Sequence, residues 1–303
     1  MRKKIILLFG PTASGKSKLA INIAKKFNCE ILNADSMQVY KEIKILSARP
    51  NNKTIRHHLY GFISAKKNFS VGNWYKLAHK KISEINKRGK VALVVGGTGL
   101  YFRALTHGLV DMPEIKKIDY SKMNEVVRKL MIDSYQKKIP TIFDGINKSD
   151  IQRVSRALAV YKQTGMTLKS WQKKENKKYF KSSEFLKICI LPPKKNLELI
   201  IKKRFEKMLK NGAIKEVKKY KKEFLNSGAS LSANNIIGIH EIGLYLQKLI
   251  SLSEVKNRIL IRTRQYAKRQ YTWHRGKMKN WKVFKDTNFN DLQKKITSFL
   301  SKT

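Results

Sequence analysis

Short apolar runs separated by helix-like segments dominate the first 110 residues of the chain. The run IILLF at 5–9 ends in a glycine-containing turn, after which apolar residues recur at helical spacing. Further short apolar runs cover 30–32, 91–95 and 187–191, and the first two lead into polar or glycine-rich turns. Buried strands that alternate with helices are typical of a parallel sheet whose connections are helical. We therefore predict an α/β fold in which helices flank a parallel sheet.

The pattern changes in the middle and in the last third of the chain. Residues 111–185 are polar, rich in lysine and helix-like, and they predict an inserted all-helical subdomain. From 197 to 300 the periodicity is again helical. Two domains follow from this pattern. A core with a helical carboxyl-terminal part is formed by 1–110 and 186–303, and it is interrupted by the insertion.

The composition indicates what kind of partner the protein binds. The chain carries 66 Lys and Arg against 21 Asp and Glu, a formal net charge of +45. Part of the excess reflects a lysine bias on solvated faces, and the remainder favours a nucleic acid over a membrane surface. The apolar runs are far shorter than the ~20 residues that span a bilayer, so we expect no membrane association. Cys29 and Cys189, the two cysteines, exclude a disulfide framework and are typical of a cytoplasmic protein.

The turn after the first apolar run matches the phosphate-loop pattern G-x-x-x-x-G-K-[ST]. Its residues are Gly10, Pro11, Thr12, Ala13, Ser14, Gly15, Lys16 and Ser17. In such a loop the backbone N–H groups and the helix N-terminus surround an anion, the lysine adds a charge, and the serine holds Mg²⁺. Because the motif lies between a predicted strand and a predicted helix, we predict a diphosphate- or triphosphate-binding loop.

Two further candidate groups follow apolar runs. Asp35 lies just after the run at 30–32, and the turn Gly96-Gly97-Thr98-Gly99 follows the run at 91–95. Ligands of doubly wound sheets bind at the carboxyl ends of the strands, so these groups should converge with the phosphate loop. Asp35 is a candidate general base or substrate-orienting carboxylate, with a helix N-cap as the alternative. Glycines beside Thr98 allow its hydroxyl or amide to approach a ligand, although geometry alone also explains such a turn.

Two basic clusters are candidates for binding a phosphate backbone. The segment RILIRTRQYAKR at 258–269 carries Arg262 and Arg269 among isoleucine and tyrosine residues, which predicts a helix with one core-facing side. The second cluster, QRVSR at 152–156, lies in the predicted insertion. Two such clusters on different segments favour a clamp around a nucleic acid, while the alternative for each is a solvated helix face.

Together these segments resemble the tRNA dimethylallyltransferase family over nearly the whole chain. The matching strings are GPTASGKS at 10–17, NADSMQVYK at 33–41, VVGGTGLYFRAL at 94–105, DIQRVSRALAVYKQTG at 150–165 and TRQYAKRQYTW at 263–273. The first string is common, but the second, third and last in this order are highly specific. The resemblance implies a P-loop NTPase-like parallel sheet flanked by helices, with an inserted helical subdomain that contacts tRNA.

The resemblance also implies a reaction. A dimethylallyl group passes from dimethylallyl diphosphate to the exocyclic N6 of adenosine 37 in tRNAs that read codons beginning with U. The phosphate loop then holds the diphosphate leaving group and does not serve phosphoryl transfer. Asp35 is implied as the general base on N6, and Thr98 as a residue near the reacting centre. Lys16 and Ser17 are implied to stabilise the diphosphate, Ser17 through Mg²⁺.

The tRNA contacts implied for this chain come from two segments, and the basic helix adds two candidates. These residues are Asp35, Ser36, Met37, Gln38, Gln152, Arg153, Val154, Ser155, Arg156, Arg262 and Arg269. The target base is expected to leave its stack on the way to the site, which costs a few kcal/mol. We further expect a monomer.

Some positions depart from the family pattern, and other functions share the motifs. The segment ILSARP at 45–50, Tyr60-Gly61 and Ile239 replace residues that the family usually has, which bears on the shape of the pocket. A P-loop small-molecule kinase uses the same loop but has no use for two basic clusters. A prenyltransferase acting on free AMP does not need the large positive charge, and a non-catalytic RNA-binding protein does not need the phosphate loop.

Overall fold

One parallel sheet forms the centre of the chain. The computed structural model describes residues 4–51, 54–116, 118, 120, 123–224, 232–285 and 289–301. Its strands are β1 (Ile5–Phe9), β2 (Cys29–Asn33), β3 (His57–His58), β4 (Val91–Gly96), β5 (Phe185–Ile190) and β6 (Lys282–Phe284). They lie in the order β3-β2-β4-β1-β5-β6, and every neighbouring pair is parallel. The predicted parallel sheet is confirmed.

Helices connect and cover these strands. They are α1 (Lys16–Lys26), α2 (Val71–Lys87), α3 (Gly99–His107), α4 (Glu125–Lys138), α5 (Ile151–Thr164), α6 (Leu168–Lys173), α7 (Leu197–Lys210), α8 (Ala213–Phe224), α9 (Ile239–Leu246), α10 (Leu252–Lys277) and α11 (Phe289–Ser301). Short 3₁₀ turns lie at Ser182–Glu184, Lys194–Asn196 and Ser232–Asn235. Within the described residues, no helix has the length and apolar character needed to cross a bilayer.

The central strand β1 sets the position of the candidate site. All of its residues are fully buried, because β4 and β5 flank it and helices cover both faces of the sheet. Its last residue, Phe9, pairs with Gly96 of β4, so the two strands end side by side. The backbone N–H of Gly10 donates to the Gly96 carbonyl at 3.1 Å. The phosphate loop and the glycine-rich turn therefore begin next to each other.

Two apolar clusters stabilise the core on either side of this edge. One joins the sheet to α1 and α11, where Leu19, Ile23 and Ile296 are buried. The other joins α7, α8, α9 and α10 to the loop that follows β2, through residues such as Val39 and Phe205. Burial of each large apolar side chain contributes about 1.5–3 kcal/mol. The carboxyl-terminal helices are thus part of the core that surrounds the phosphate loop.

The chain divides into two compact units, 1–106 with 179–303, and 107–178. The second unit contains α4, α5 and α6, whose core includes Ile132 and Leu158. The residues just after 178, which the sequence grouped with the insertion, pack in the first unit. There the ring of Tyr179 stacks on His79 with the ring centroids 4.0 Å apart. Aromatic packing against α2 therefore moves this boundary toward the amino terminus.

Candidate active site

The phosphate loop connects β1 to the first turn of α1. Ala13 and Gly15 have positive φ values of 63° and 77°, and a left-handed alanine needs neighbouring contacts to hold it. The Oγ of Ser14 is buried and has no hydrogen-bond partner among the described residues. Because buried polar groups are nearly always paired, this hydroxyl fits a loop that receives a polar ligand.

Two half-buried cations lie beside the loop. Lys16 Nζ donates to the Pro11 carbonyl at 3.2 Å, and Arg204 Nη1, from α7, donates to Thr12 Oγ1 at 2.9 Å. The pKa of Lys16 is lowered to about 8, mainly by burial; the Asp35 carboxylate opposes the shift and the Arg204 charge adds to it. Burial likewise lowers the pKa of Arg204, again against Asp35. Two positive charges held in a dry site favour an anion of more than one negative charge.

Asp35 lies just beyond the end of β2, held by a network of its neighbours. The Oδ1 of Asn33 accepts from the Asp35 N–H at 2.8 Å, and its Nδ2 donates to the carbonyls of Asp35 and Leu59 at 2.9 Å. One carboxylate oxygen of Asp35 accepts from the Met37 N–H at 2.9 Å. The residues that follow form turns and not a helix, so the helix N-cap alternative for Asp35 is wrong.

Thr98 joins the glycine turn to the loop that carries Asp35. Its N–H donates to the Ala34 carbonyl at 3.1 Å, and its Oγ1 accepts from the Ser36 N–H at 2.9 Å. The Thr98 hydroxyl donates to Ser36 Oγ at 3.2 Å, and Tyr266 of α10 lies close to it. Thr98 therefore fixes the distance between two strand ends and one helix, beside the Asp35 carboxylate.

Each glycine of this turn faces a different close neighbour. A Cβ at Gly96 would lie 2.0 Å from a backbone oxygen of the loop after β2. A Cβ at Gly97 would lie 2.2 Å from Gln270 Nε2, and one at Gly99 would lie 2.1 Å from Trp273 Nε1. A heavy side chain does not fit at such distances, which explains the glycines. Two of the three neighbours belong to α10, so this helix shapes the turn.

Three tyrosine side chains lie near the carboxylate of Asp35. Burial raises the pKa of Tyr60, Tyr101 and Tyr266, and the negative charge of Asp35 adds to each shift. Their hydroxyls are therefore neutral at physiological pH. Among the described residues, the cations Lys16 and Arg204 beside the phosphate loop carry the positive charges that act with this carboxylate.

The predicted tRNA-contacting residues next to Asp35 differ in what they offer. Ser36, Met37 and Gln38 are all half-buried. The Gln38 amide donates to the carbonyls of Ser47 and Ala48, at 2.9 and 3.1 Å, so it holds its own loop together. The Gln38 side chain is therefore engaged within its own loop.

The two predicted arginines of α10 have different surroundings. Arg262 pairs with Glu241, whose carboxylate is 2% exposed and also accepts from the Gly238 N–H at 3.0 Å. This pairing fixes α9 on α10. Arg269 is exposed, with its guanidinium 5.7 Å from the centre of the Tyr266 ring. Of the two, Arg269 presents the more accessible positive charge.

A cavity of about 560 Å³ runs along one face of α10. It is lined by Gln265, Lys268, Arg269, Thr272, Trp273, Gly276 and Lys277. Three cations and an indole ring on one helix face are suited to phosphates and to a stacked base. The cavity shares Trp273 with the packing of the glycine turn, so it begins beside the candidate active site.

In the second unit, the predicted segment 152–156 is part of α5. Val154 and Ser155 are buried, at 0% and 6% exposure, in the core of that unit, so their side chains do not reach a ligand at its surface. Gln152, Arg153 and Arg156 are exposed on the other side of the helix. Helical periodicity therefore corrects the predicted set, since only three of these five side chains are available for RNA.

Ser17 is the predicted ligand of Mg²⁺. It is exposed in the first turn of α1, directly after Lys16. Among the described residues, no group of three or more His, Cys, Asp or Glu side chains is placed to hold a metal ion. Mg²⁺ usually keeps several waters and binds one or two protein oxygens together with substrate phosphates. A single serine hydroxyl at the phosphate loop fits this mode of binding.

Two residues of the site were absent from the sequence-based prediction. Arg204 is the only arginine in the sequence of α7, among several lysines, and it reaches the phosphate loop. Gln270 lies next to the predicted Arg269 and is buried against the loop and the glycine turn. The signal for the first was an arginine in a lysine-rich helix, and the signal for the second was its place in the string TRQYAKRQYTW at 263–273.

An all-parallel sheet with a phosphate loop after its first strand, and with an acidic loop and a glycine turn at the same edge, defines the P-loop NTPase-like fold class. The family model described as IPP transferase matches residues 38–277. The chain belongs to this family. The resemblance found in the motifs is therefore confirmed.

Several relatives cover most of the chain. The tRNA dimethylallyltransferase of Pelagibacter ubique (strain HTCC1062) is 46% identical over 92% of this chain and 91% of that protein. The tRNA dimethylallyltransferase of Rickettsia conorii (strain ATCC VR-613 / Malish 7) is 41% identical over 92% of this chain and 78% of that protein. Both similarities extend well beyond the phosphate loop.

Solved structures show the same fold. A eukaryotic dimethylallyltransferase acting on tRNA superimposes with a TM-score of 0.82 at 28% identity, covering 99% of this chain and 80% of that one. The tRNA isopentenylpyrophosphate transferase of Bacillus halodurans superimposes with a TM-score of 0.69 at 28% identity, covering 99% and 96%. The predicted P-loop NTPase-like fold is confirmed.

Proposed function

We propose that this protein transfers a dimethylallyl group from dimethylallyl diphosphate to N6 of adenosine 37 in tRNAs that read codons beginning with U. The observation that carries the proposal is the placement of the Asp35 carboxylate near two half-buried cations at the phosphate loop. A base and an anion-binding loop at one edge suit a transfer in which a diphosphate leaves. The names of the relatives support the same reaction.

In the proposed reaction, N6 of the adenosine attacks the prenyl carbon that is bonded to the diphosphate oxygen. The new N–C bond forms as the C–O bond breaks, and the diphosphate takes the electron pair of that bond. Asp35 accepts the proton that N6 loses. A positioned general base typically contributes 10²–10⁴-fold to a rate. The Thr98 hydrogen bonds tie the Asp35 loop to the glycine turn, which begins beside the phosphate loop.

The phosphate loop stabilises the charge that develops on the leaving group. Lys16 and Arg204 supply positive charge, and the loop N–H groups and the Ser14 hydroxyl supply hydrogen bonds. Mg²⁺, when bound through Ser17, supplies further positive charge to the diphosphate oxygens. These groups are fixed before the reaction, so little reorganisation accompanies charge development.

The RNA partner is supported by exposed positive charge on both units. The cavity face of α10 carries Lys268, Arg269 and Lys277, and α5 carries Arg153 and Arg156. A free AMP molecule does not require such surfaces, whereas a tRNA backbone does. The side chains that support the phosphate loop belong to the same chain, so we propose that a monomer carries the activity in the cytoplasm, where tRNA is found.

One assay separates the candidate functions. Purified protein is incubated with Mg²⁺ and labelled dimethylallyl diphosphate, in the presence of either tRNA or AMP. We expect label on an adenosine of tRNA and none on AMP. Transfer to AMP alone identifies the free-nucleotide prenyltransferase, and ATP consumption without prenyl transfer identifies a kinase. Either result contradicts the proposal.

A binding experiment tests the RNA surface of α5. Replacing Arg156 with alanine should weaken tRNA binding and reduce the slope of log K against log salt by about 1, because one phosphate contact is lost. A control must be an exposed cation outside the predicted segment, which excludes the buried Val154 nearby. Lys138, exposed at the end of α4, provides a charge-matched comparison. An unchanged slope for Arg156→Ala contradicts its contact with RNA.

A further inference from the structure

Gln270 occupies an unusual place for a polar side chain. It lies on the buried face of α10 with 5% exposure. Its Oε1 accepts from the N–H of Thr12 in the phosphate loop at 2.8 Å, and its Nε2 donates to the Gly97 carbonyl at 2.9 Å. A buried amide that bonds two loops from two different strand ends holds those loops together.

The partner in the phosphate loop is a backbone group at a demanding position. Thr12 precedes Ala13, whose φ of 63° is left-handed and costs roughly 1–2 kcal/mol for a residue with a Cβ. Thr12 is held twice, since its N–H is bound by Gln270 and its Oγ1 by Arg204. Anchoring the residue before the strained position is a direct way to maintain the shape of the loop.

The partner in the glycine turn is adapted to the same side chain. A Cβ at Gly97 would lie 2.2 Å from Gln270 Nε2, so the glycine makes room for the amide. One turn earlier on α10, Tyr266 lies close to the side chain of Thr98, and one turn later Trp273 packs on Gly99. The helix that lines the basic cavity therefore contacts every residue from 97 to 99.

From this arrangement we infer that Gln270 is a positioning residue that holds the phosphate loop in its diphosphate-binding shape and ties that shape to α10. The inference rests on the proposed function only in naming a diphosphate as the ligand. Gln270 does not contact the reacting atoms. It acts through the Thr12 N–H and the Gly97 carbonyl, so its loss weakens the binding of the diphosphate and leaves the tRNA surface of α10 in place.

The test uses three variants of the full chain. Gln270→Ala removes both hydrogen bonds. Gln270→Glu keeps the acceptor but donates only when its carboxyl is protonated. Gln247→Glu, at an exposed position after α9, adds the same charge away from the site. The measured quantities are the Kd of inorganic diphosphate with Mg²⁺, and the KM values for dimethylallyl diphosphate and for tRNA, between pH 5.5 and 8.

We expect Gln270→Ala to raise the Kd of inorganic diphosphate and the KM for dimethylallyl diphosphate about tenfold, the effect of a hydrogen bond or two, with the KM for tRNA unchanged. Gln270→Glu should bind diphosphate more weakly than Gln270→Ala at pH 8, because an unprotonated carboxylate repels the ligand. Relative to the unmodified chain, its affinity should recover as the pH falls. Gln247→Glu should behave as the unmodified chain throughout.

An unchanged Kd for inorganic diphosphate in Gln270→Ala, or a pH-independent ratio in Gln270→Glu, overturns the inference. A merely structural role predicts equal losses for diphosphate and tRNA in both variants and no recovery at low pH. Should Gln270→Ala fail to fold, Gln270→Met fills the same volume without the hydrogen bonds and takes its place. If the unmodified chain transfers no prenyl group, the proposed function fails, and the diphosphate Kd values still decide the role of Gln270.

Discussion

Two acidic residues close to β2 have opposite surroundings. The Glu30 carboxylate, 2% exposed, contacts His58 Nε2 at 2.6 Å, Arg88 Nη2 at 2.7 Å and Lys90 Nζ at 3.4 Å. Asp35 lies five residues further along the chain. Within the described part of the chain, no cation lies within ion-pair distance of its carboxylate. Its cationic neighbours, Lys16 and Arg204, hydrogen-bond to the phosphate loop.

The difference separates an acid that stabilises the fold from an acid that is available for chemistry. Burial acts to raise the pKa of Glu30, but hydrogen bonds from Arg88 and His58 outweigh it and lower the pKa to about 2. Such a carboxylate does not accept a proton during a reaction at neutral pH. The Asp35 carboxylate has an oxygen that is in no ion pair among the described residues. The cations near it, Lys16 and Arg204, are placed to bind a diphosphate. Both residues are acidic, so the difference in role comes from their surroundings: the Glu30 carboxylate has cations at ion-pair distance, and the Asp35 carboxylate has none within the described residues.

The largest effect is expected for Asp35→Asn. The amide keeps an oxygen that accepts from the Met37 N–H but cannot take a proton from N6, so the single-turnover rate of prenyl transfer should fall by about 10³. The melting temperature and the Kd for tRNA should stay close to those of the unmodified chain. A transfer rate within threefold of the unmodified rate would show that another group is the base.

Glu30→Gln should show the reverse pattern. Removing one partner of a buried charge cluster leaves the others without compensation, and we expect a loss of about 3 kcal/mol in the free energy of unfolding at pH 7, measured by urea denaturation. The rate of transfer per folded molecule should be unchanged. Because the pKa of Glu30 is lowered in the folded state, its stabilisation is present above pH 4.5 and disappears as the pH falls toward 2. The variant should lack this acid-dependent loss, and an identical acid profile would contradict the cluster's role.

The pH dependence of diphosphate binding by Lys16 should distinguish Asp35 from Glu30. Burial lowers its pKa to about 8, so the ammonium loses its proton as the pH rises through that value, and the Kd of inorganic diphosphate should increase up to about tenfold per pH unit above it. Asp35 opposes this shift, so in Asp35→Asn the increase should begin at a lower pH. Glu30→Gln should leave the onset unchanged. A common onset in all three proteins would contradict the link between Asp35 and Lys16.

Arg88→Ala is expected to have the smallest effect. Arg88 is 36% exposed, and His58 and Lys90 remain on the Glu30 carboxylate after its removal. Solvent screening reduces the contribution of such a partner, so we expect a loss of about 1 kcal/mol in the free energy of unfolding. Lys87→Ala, one residue earlier at the end of α2, should change it by less than about 0.5 kcal/mol. Equal losses for the two variants would show that the ion pair adds nothing.

The sequence predicted the parts of the fold whose signals are local. Apolar runs and a loop motif located β1, β2, β4 and β5, and helical periodicity located most of the carboxyl-terminal half. The edge strands β3 and β6 were missed, because His57–His58 and Lys282–Phe284 are too short to show a period of two. The end of the insertion was placed too late, because Tyr179 belongs to the core through aromatic contacts with residues about one hundred positions away.

The candidate site was predictable where its residues follow strands. Asp35 and Thr98 were found because parallel strands end at one edge of a sheet. Arg204 and Gln270 were not, since they meet Thr12 across 192 and 258 residues of sequence. Only tertiary packing selects one arginine among many cations, or one glutamine on a helix face. Val154 and Ser155 were wrongly included among the exposed tRNA-contacting side chains. The sequence motif is continuous, but the helix turns these two side chains into the core of the second unit.

The long separation between Thr12 and Gln270 has a consequence for how the protein is made. The phosphate loop is synthesised before the side chain that anchors it, which follows 258 residues later. At ~5–20 residues per second, this interval lasts on the order of tens of seconds. A growing chain therefore carries the full motif long before it has a loop of the correct shape. Premature termination before α10 leaves a fragment that retains the phosphate-binding sequence without the side chain that anchors its loop.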